Sequence, residues 1–209
     1  MNSGIVFNAD ANNGPSRRLG VTIEIAGPFT SNILELRFPR WVPGSYFIRE
    51  PIQHMSDLSA TVDGEEVKPK RIDIDGVRIS GVSEASNVIL TYRVLAAEMT
   101  CRANHLDSSH VHIMPPYTWM LPSKGIDKKR LDMTHIIKLS KPKNWTTAIQ
   151  LPGNEGEWYA NGRDEMLDAI IESNPNPMLS FEVKGCKQYL KLWDSGGLEI
   201  PEEGINRLI

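Results

Sequence analysis

The sequence lacks several features that would assign a compartment or a membrane role. Its two cysteines, Cys101 and Cys186, lie far apart, and neither has a second thiol at metal-ligand spacing. We therefore expect two reduced thiols. No stretch approaches the roughly 18 apolar residues that a membrane span requires, and the amino terminus has no basic segment followed by an apolar one. These absences predict a soluble, cytoplasmic chain with no membrane partner.

The sequence also lacks a surplus of basic residues, and this argues against one class of partner. The 209 residues carry 23 basic and 26 acidic side chains, for a net charge of -3. A protein that binds nucleic acid usually has a basic surplus that neutralises the phosphate backbone. We therefore predict no nucleic-acid partner.

The common hydrolase motifs are missing as well. The sequence has no HExxH, which zinc peptidases use to place two histidines one helical turn apart. It also has no GxSxG elbow, no Cys-His signature and no Gly-rich phosphate loop. We predict no catalytic residue, no metal ligand and no cofactor in this chain.

What the sequence does contain is alternation of apolar and polar residues with a period of two. Such alternation is typical of half-buried strands. It is clearest at Val21, Ile23 and Ile25, and again at Val88, Leu90, Tyr92 and Val94. Asp63-Gly64 and Asp75-Gly76 are each typical of a two-residue hairpin turn. The pattern predicts a mainly β domain, a curved antiparallel sheet or sandwich with one or two short helices.

Helical periodicity is confined to two places. One helix is predicted from Arg163 to Ile171, with Asp164 and Glu165 in its first turn. A second is predicted to begin at Pro201, where a missing N–H is tolerated. We expect a non-catalytic β domain over residues 1–197, and the start of a linker or of a next domain over residues 198–209.

Two small groups of side chains are candidates for chemistry. His110 and His112 would share one face of a strand and could bind a metal if Asp107 or His105 supplied a third ligand; we favour a structural or surface role for them. Asp168 and Glu172 are four residues apart, so on a continuous helix they would share a face and could hold a cation or an amine. A solvated helix face is the alternative.

The densest cluster is the segment from Arg40 to Pro51, which is too rich in proline for a helix and too aromatic for a free loop. It predicts a packed corner at one end of the sheet, with a docking surface as the alternative. The residues assigned to this role are Trp41, Pro43, Gly44, Tyr46 and Arg49. We expect Trp41 and Tyr46 to be buried.

This cluster carries a resemblance to a known family. The segment from Pro39 to Arg49 resembles the P-x-W-x-P-G-S-Y-x-x-R segment in the amino-terminal domain of the glycyl aminopeptidases, which are PDZ-containing, thermolysin-like zinc metallopeptidases. Further blocks agree in order along the chain. They are Tyr92-Arg93-Val94, Arg102 with His105-Leu106-Asp107, Trp145 with Ala148 and Leu151, and Ala160 with Leu167-Asp168 and Glu172.

The resemblance implies a role without catalysis. It implies that this domain packs beside a thermolysin-like catalytic domain of the same polypeptide and forms a wall of its cleft. Zinc would belong to that catalytic domain, beyond Ile209, and this chain alone would be inactive. The substrate would be a peptide, and the resemblance suggests that Asp168 and Glu172 recognise its amino terminus.

A different class of function also fits the composition. A stand-alone β-sandwich could bind carbohydrate or a protein ligand through Trp41, Trp119 or Trp158, provided that these rings are exposed. A small metalloenzyme built on His110 and His112 is a third alternative.

Overall fold

A computed structural model describes residues 4–41, 47–48, 50–194 and 203–204, and strands dominate them. The strands are β1 (Val6–Asp10), β2 (Arg18–Ala26), β3 (Ile33–Arg37), β4 (Met55–Val62), β5 (Glu65–Val67), β6 (Lys70–Arg71), β7 (Gly76–Ser80), β8 (Asn87–Leu95), β9 (His105–Leu106), β10 (Val111–Ile113), β11 (Leu121–Lys124), β12 (Thr134–Ser140), β13 (Thr146–Ala148), β14 (Gly153–Asn154), β15 (Glu157–Asn161), β16 (Ile171–Asn174), β17 (Met178–Val183) and β18 (Cys186–Lys191).

The strands form one large sheet and three small ones. The large sheet has the order β14-β15-β12-β1-β2-β8-β4-β5, and the small sheets have the orders β13-β16-β10-β9, β11-β3-β7-β6 and β17-β18. The predicted mainly β, mainly antiparallel fold is confirmed. One pair departs from it, because β1 runs parallel to β12.

The period-two pattern places the core correctly. Along β2 and β8, every second residue is buried and its neighbours are more exposed. The turn between β4 and β5 has positive φ at Asp63 and Gly64, 54° and 86°, as a two-residue hairpin requires. The core extends through three of the sheets, and Trp119 lies fully buried in it. Its ring centroid is 5.7 Å from that of Phe7.

Helical structure is scarce, and the predicted first helix is shorter than expected. The described residues contain one α-helix with defined bounds, α1 (Arg163–Asp168), and four short 3-10 turns: Gly14–Ser16, Pro51–His54, Pro115–Tyr117 and Lys128–Asp132. The extension of α1 to Ile171 was wrong. Ile171 instead starts β16, where it pairs with Ile113 and is 1% exposed, because burial in a sheet outweighs the weak helix propensity of isoleucine.

The second predicted hairpin is present, because β6 pairs antiparallel with β7, but Asp75-Gly76 is not a two-residue turn. Gly76 already belongs to β7, and the loop that joins it to β6 runs over residues 72–75. The side chain of Asp75 is 5% exposed and accepts hydrogen bonds from Arg37 and Arg40. Asp75 therefore ties the end of β3 to the segment that follows it.

The expectation of a buried Trp41 was wrong as well. Its ring is 59% exposed, and the neighbouring Phe47 and Ile48 are 67% and 71% exposed. At the start of this segment, Arg40 forms an ion pair with Asp75. The predicted roles of Pro43, Gly44, Tyr46 and Arg49 fall outside the described residues.

Towards the carboxyl terminus, β17 and β18 form a hairpin that pairs with no other described strand. Lys191 anchors it, because its ammonium group donates to the carbonyl oxygens of Asn174 and Asn176. Pro201, the predicted start of a second helix, is not among the described residues, whereas Glu203 and Gly204 are helical. Within the described chain, no helix has both the length and the apolar composition needed to cross a bilayer.

Candidate functional site

The sheet with the order β13-β16-β10-β9 brings three polar side chains into one row. His112 of β10 is the register partner of His105 on β9 and of Glu172 on β16. Register partners project from the same face of a sheet. His110 comes two residues before His112, so it also lies on this face. The i, i+2 histidine pair was predicted from the sequence; its meeting with Glu172, 60 residues away, was not.

Glu172 is the centre of the hydrogen bonds in this row. Its Oε1 lies 2.8 Å from Nε2 of His110 and 3.3 Å from Nδ1 of His112, and its Oε2 lies 3.0 Å from Nε2 of His110. A carboxylate only accepts, so these two ring nitrogens carry the protons. The other ring nitrogens, Nδ1 of His110 and Nε2 of His112, are buried and lack a partner among the described residues.

Trp193 covers one side of this cluster. Its indole stacks on the ring of His110, with centroids 4.0 Å apart, and its Nε1 donates to Oγ of Ser109 at 3.2 Å. The ring of His105 lies 5.8 Å from that of Trp193 and 5.3 Å from that of His110, and its Nε2 is 3.2 Å from a carboxylate oxygen of Asp107. We call His105, His110, His112, Glu172 and Trp193 the histidine-glutamate cluster.

The cluster lines an open cavity of about 410 Å³. Met99, Thr100 and Cys101 also line it, as do Lys191 at the end of β18 and the following Leu192. The Glu172 side chain is 28% exposed, whereas that of His110 is only 5% exposed. The carboxylate is therefore accessible to a ligand while the imidazole that contacts it is buried.

The electrostatics of the cavity favour an ionised Glu172. Burial raises the pKa of its carboxyl, but the hydrogen bonds from His110 and His112 outweigh burial, and the pKa lies below its ordinary value. For Asp107, burial also raises the pKa of the carboxyl. The hydrogen bonds from Ser109 and His105 outweigh burial, and the pKa lies below its ordinary value. The site thus holds two anionic groups beside its histidines.

The structure separates the two carboxylates that the sequence placed together. Asp168 is exposed at the last position of α1, and Glu172 lies in a strand, so they do not share a helix face. Asp168 is not among the residues that line the cavity. Glu172 instead has partners within the chain, because His110 and His112 contact it.

The described residues contain no metal site. Among residues 4–41, 47–48, 50–194 and 203–204, no group of three or more His, Cys, Asp or Glu side chains is placed to hold a metal ion. His105 and Asp107, the candidate third ligands, contact each other instead. Both cysteines are free and exposed.

A second cavity has a volume of about 420 Å³. Its lining combines the exposed side chains of Phe47, Ile48 and Leu95 with polar groups that include His54 and Arg102. No hydrogen bond between a histidine and a carboxylate is formed among its described lining residues, whereas the histidine-glutamate cluster has several. The histidine-glutamate cluster is therefore the stronger candidate for recognition chemistry.

The tryptophans proposed as stacking platforms divide into two groups. Trp119 is 0% and Trp158 is 5% exposed, so neither can stack on a ligand. Trp41 alone of the three is exposed. This removes most of the stacking surface that a carbohydrate-binding module would need.

Comparison with known proteins assigns the fold to peptidases. An aminopeptidase N family protein from Idiomarina loihiensis has a TM-score of 0.78 at 22% identity, over 88% of this chain and 32% of that chain. Aminopeptidase A from Legionella pneumophila has a TM-score of 0.53 at 9% identity, over 90% of this chain and 23% of that chain. An M1 zinc metallopeptidase from Deinococcus radiodurans, bound to a Tyr-Ser-Ala substrate, has a TM-score of 0.50 at 11% identity. The match covers 99% of this chain and 51% of that chain.

At these identities the structures show a shared fold, and the chain spans 23% to 51% of their lengths. No curated protein sequence matches the chain significantly. A family model for the peptidase M61 N-terminal domain, however, matches residues 7–172. The match covers the large sheet and the histidine-glutamate cluster as far as Glu172, and it confirms the resemblance found in the sequence. The chain belongs to the peptidase M61 N-terminal domain family.

Proposed function

We propose that this domain is the non-catalytic partner of a thermolysin-like catalytic domain on the same polypeptide, and that it forms one wall of the active-site cleft. The family match and the small share of the related chains that it spans support this division of labour. Zinc, which activates water in such peptidases, would be held by the catalytic domain, because the sequence of this chain has no HExxH.

The apolar surface around the second cavity is the docking face in this proposal. Phe47, Ile48 and Leu95 line that cavity, and all three are exposed here. Clustered exposed apolar side chains mark protein interaction sites. Exposure of Trp41 in the same stretch of sequence fits this role better than it fits a packed corner.

Glu172 is the residue that we propose for recognition of the substrate amino terminus. It is an accessible carboxylate at a cavity, and its pKa is lowered, so it is negatively charged at neutral pH. A positively charged α-amino group binds such a carboxylate by a charge-assisted hydrogen bond. Asp168 lies outside the cavity, and a contribution from it stays a prediction.

The test is Glu172→Gln in the full-length protein, assayed on a glycyl or alanyl substrate. The substitution keeps the size of the side chain and removes its charge, so we expect kcat/KM to fall roughly tenfold or more. Glu182→Gln is the matched control, because Glu182 is exposed on the hairpin, away from the cavity lining. Equal kinetics for the two variants would refute amine recognition by Glu172.

A further inference from the structure

The position of Glu172 depends on its own strand and on two side chains about 60 residues earlier in the chain. Its own strand, β16, determines only which face the carboxylate projects from. The orientation of the carboxylate is determined by two donors, Nε2 of His110 and Nδ1 of His112, at 2.8 and 3.3 Å from Oε1. His110 donates through Nε2 and His112 through Nδ1.

His110 is itself held firmly. Its ring is stacked against Trp193, and its side chain is 5% exposed. The indole is held in turn by its hydrogen bond to Ser109. A donor restrained in this way loses little rotational freedom when it bonds to a carboxylate, which strengthens the positioning effect.

We infer that His110 and His112 are positioning residues for Glu172, which hold its carboxylate ionised and oriented to receive a cationic amine from the cavity. This inference rests on the proposed function for its ligand. A carboxylate has about four lone-pair directions. The two imidazoles make two contacts to Oε1 and one to Oε2, so acceptor capacity is left on Oε2.

The other charged groups around Glu172 form their hydrogen bonds elsewhere. On β18, the Lys191 ammonium donates to oxygens of Thr146, Asn174 and Asn176. Burial lowers the pKa of Lys191, and the charge of Glu172 acts against this lowering, so the two groups attract each other. Beside β9, Asp107 is bonded to His105 and Ser109. Among the described residues, no Lys or Arg forms an ion pair with Glu172, and His110 and His112 are the side chains that donate to its carboxylate.

The two donor atoms, Nε2 of His110 and Nδ1 of His112, suggest a matched set of variants. The amide nitrogen of glutamine can occupy the place of an imidazole Nε2, and that of asparagine can occupy the place of Nδ1. His110→Gln and His112→Asn should therefore keep the hydrogen bonds, whereas His110→Leu and His112→Leu should remove them. Gln150→Leu is the control, because Gln150 is exposed and lines neither this cavity nor the second one.

Two measurements on the full-length protein test the inference. The first is the pKa of the Glu172 carboxyl, followed by ¹³C NMR and assigned by its loss in Glu172→Gln. We expect this pKa to rise in the leucine variants and to stay near the wild-type value in His110→Gln and His112→Asn. The second is KM for an unblocked peptide, which we expect to rise about tenfold in His110→Leu with a smaller change in kcat, and to recover in His110→Gln.

The inference is overturned if the pKa of Glu172 is the same in all variants, or if His110→Gln is as impaired as His110→Leu, since the histidine would then serve packing only. If His110→Leu does not fold, His110→Asn replaces it, because the shorter amide cannot reach the position of Nε2. Failure of the proposed function is distinguishable: Glu172→Gln would leave KM unchanged while the histidine variants still shift the pKa of Glu172.

Discussion

The imidazole of His110 lies nearly parallel to the indole of Trp193, with ring centroids 4.0 Å apart and 15° between the ring planes. The stack joins the β17–β18 hairpin to the small sheet that carries Glu172. Because this hairpin pairs with no other described strand, side chains rather than backbone hydrogen bonds attach it to the domain. The geometry of the cavity therefore depends on a few contacts at the end of β18.

The first prediction concerns this attachment. Trp193→Ala should remove the stack and the bond to Ser109, and the amides of β17 and β18 should then exchange with solvent at least several-fold faster, because the hairpin opens more often. An aromatic pair of this kind contributes about 0.5–1.5 kcal/mol beyond its buried area. Hydrogen exchange read out by mass spectrometry is the measurement.

Tyr189→Ala is the control for the hairpin, because Tyr189 lies on β18 and is 58% exposed. We expect its exchange rates to stay close to those of the wild type. Equal acceleration in both variants would show that the hairpin is weakened by any loss of aromatic surface, and that the stack has no special role.

The second prediction contrasts two tryptophans. Trp119→Ala empties a fully buried position beside Phe7 and should lower the free energy of unfolding by about 3–5 kcal/mol. Trp41→Ala removes a ring that is 59% exposed and should change it by less than about 0.5 kcal/mol. Urea denaturation of both variants is the measurement. A large loss in Trp41→Ala would mean that this ring is buried in solution, as the sequence alone had suggested.

The third prediction is a pH dependence that arises at His135, which is 0% exposed. Its Nδ1 accepts a hydrogen bond from the backbone N–H of Ile5, and its Nε2 donates to the carbonyl oxygen of Leu131. Protonation at Nδ1 would break the first bond. Burial, the largest influence, lowers the pKa of this imidazole below its ordinary value.

The folded state therefore resists uptake of a proton that the unfolded chain accepts near pH 6.5. The contribution of His135 to stability is fully present above that pH and is lost as the pH falls towards the folded pKa. Over that range the free energy of unfolding changes by at most about 1.4 kcal/mol per pH unit. We expect His135→Gln to flatten the dependence of the unfolding free energy on pH between pH 7 and 5.5. A wild-type slope in His135→Gln would assign the dependence to other groups.

Local chemistry explains why much of the fold could be predicted. Alternation along β2 and β8 needs only the pleat of a strand and one buried face. The turn at Asp63-Gly64 needs only a backbone that accepts positive φ. The end of α1 was harder to predict, because the same apolar residues, Ile170 and Ile171, suit either a helix face or a buried strand, and pairing with Ile113 decided between them.

The candidate site was predictable only in part, because it too depends on which strands pair. The sequence by itself determined the mainly β fold, the family, and the spacing that puts His110 and His112 on one face of a strand. Only the tertiary structure decided that Glu172 faces these histidines, that Asp168 does not, and that Trp193 stacks on His110. Those relationships join residues 60 or more positions apart, and they depend on strand register and packing, which no local pattern of residues encodes.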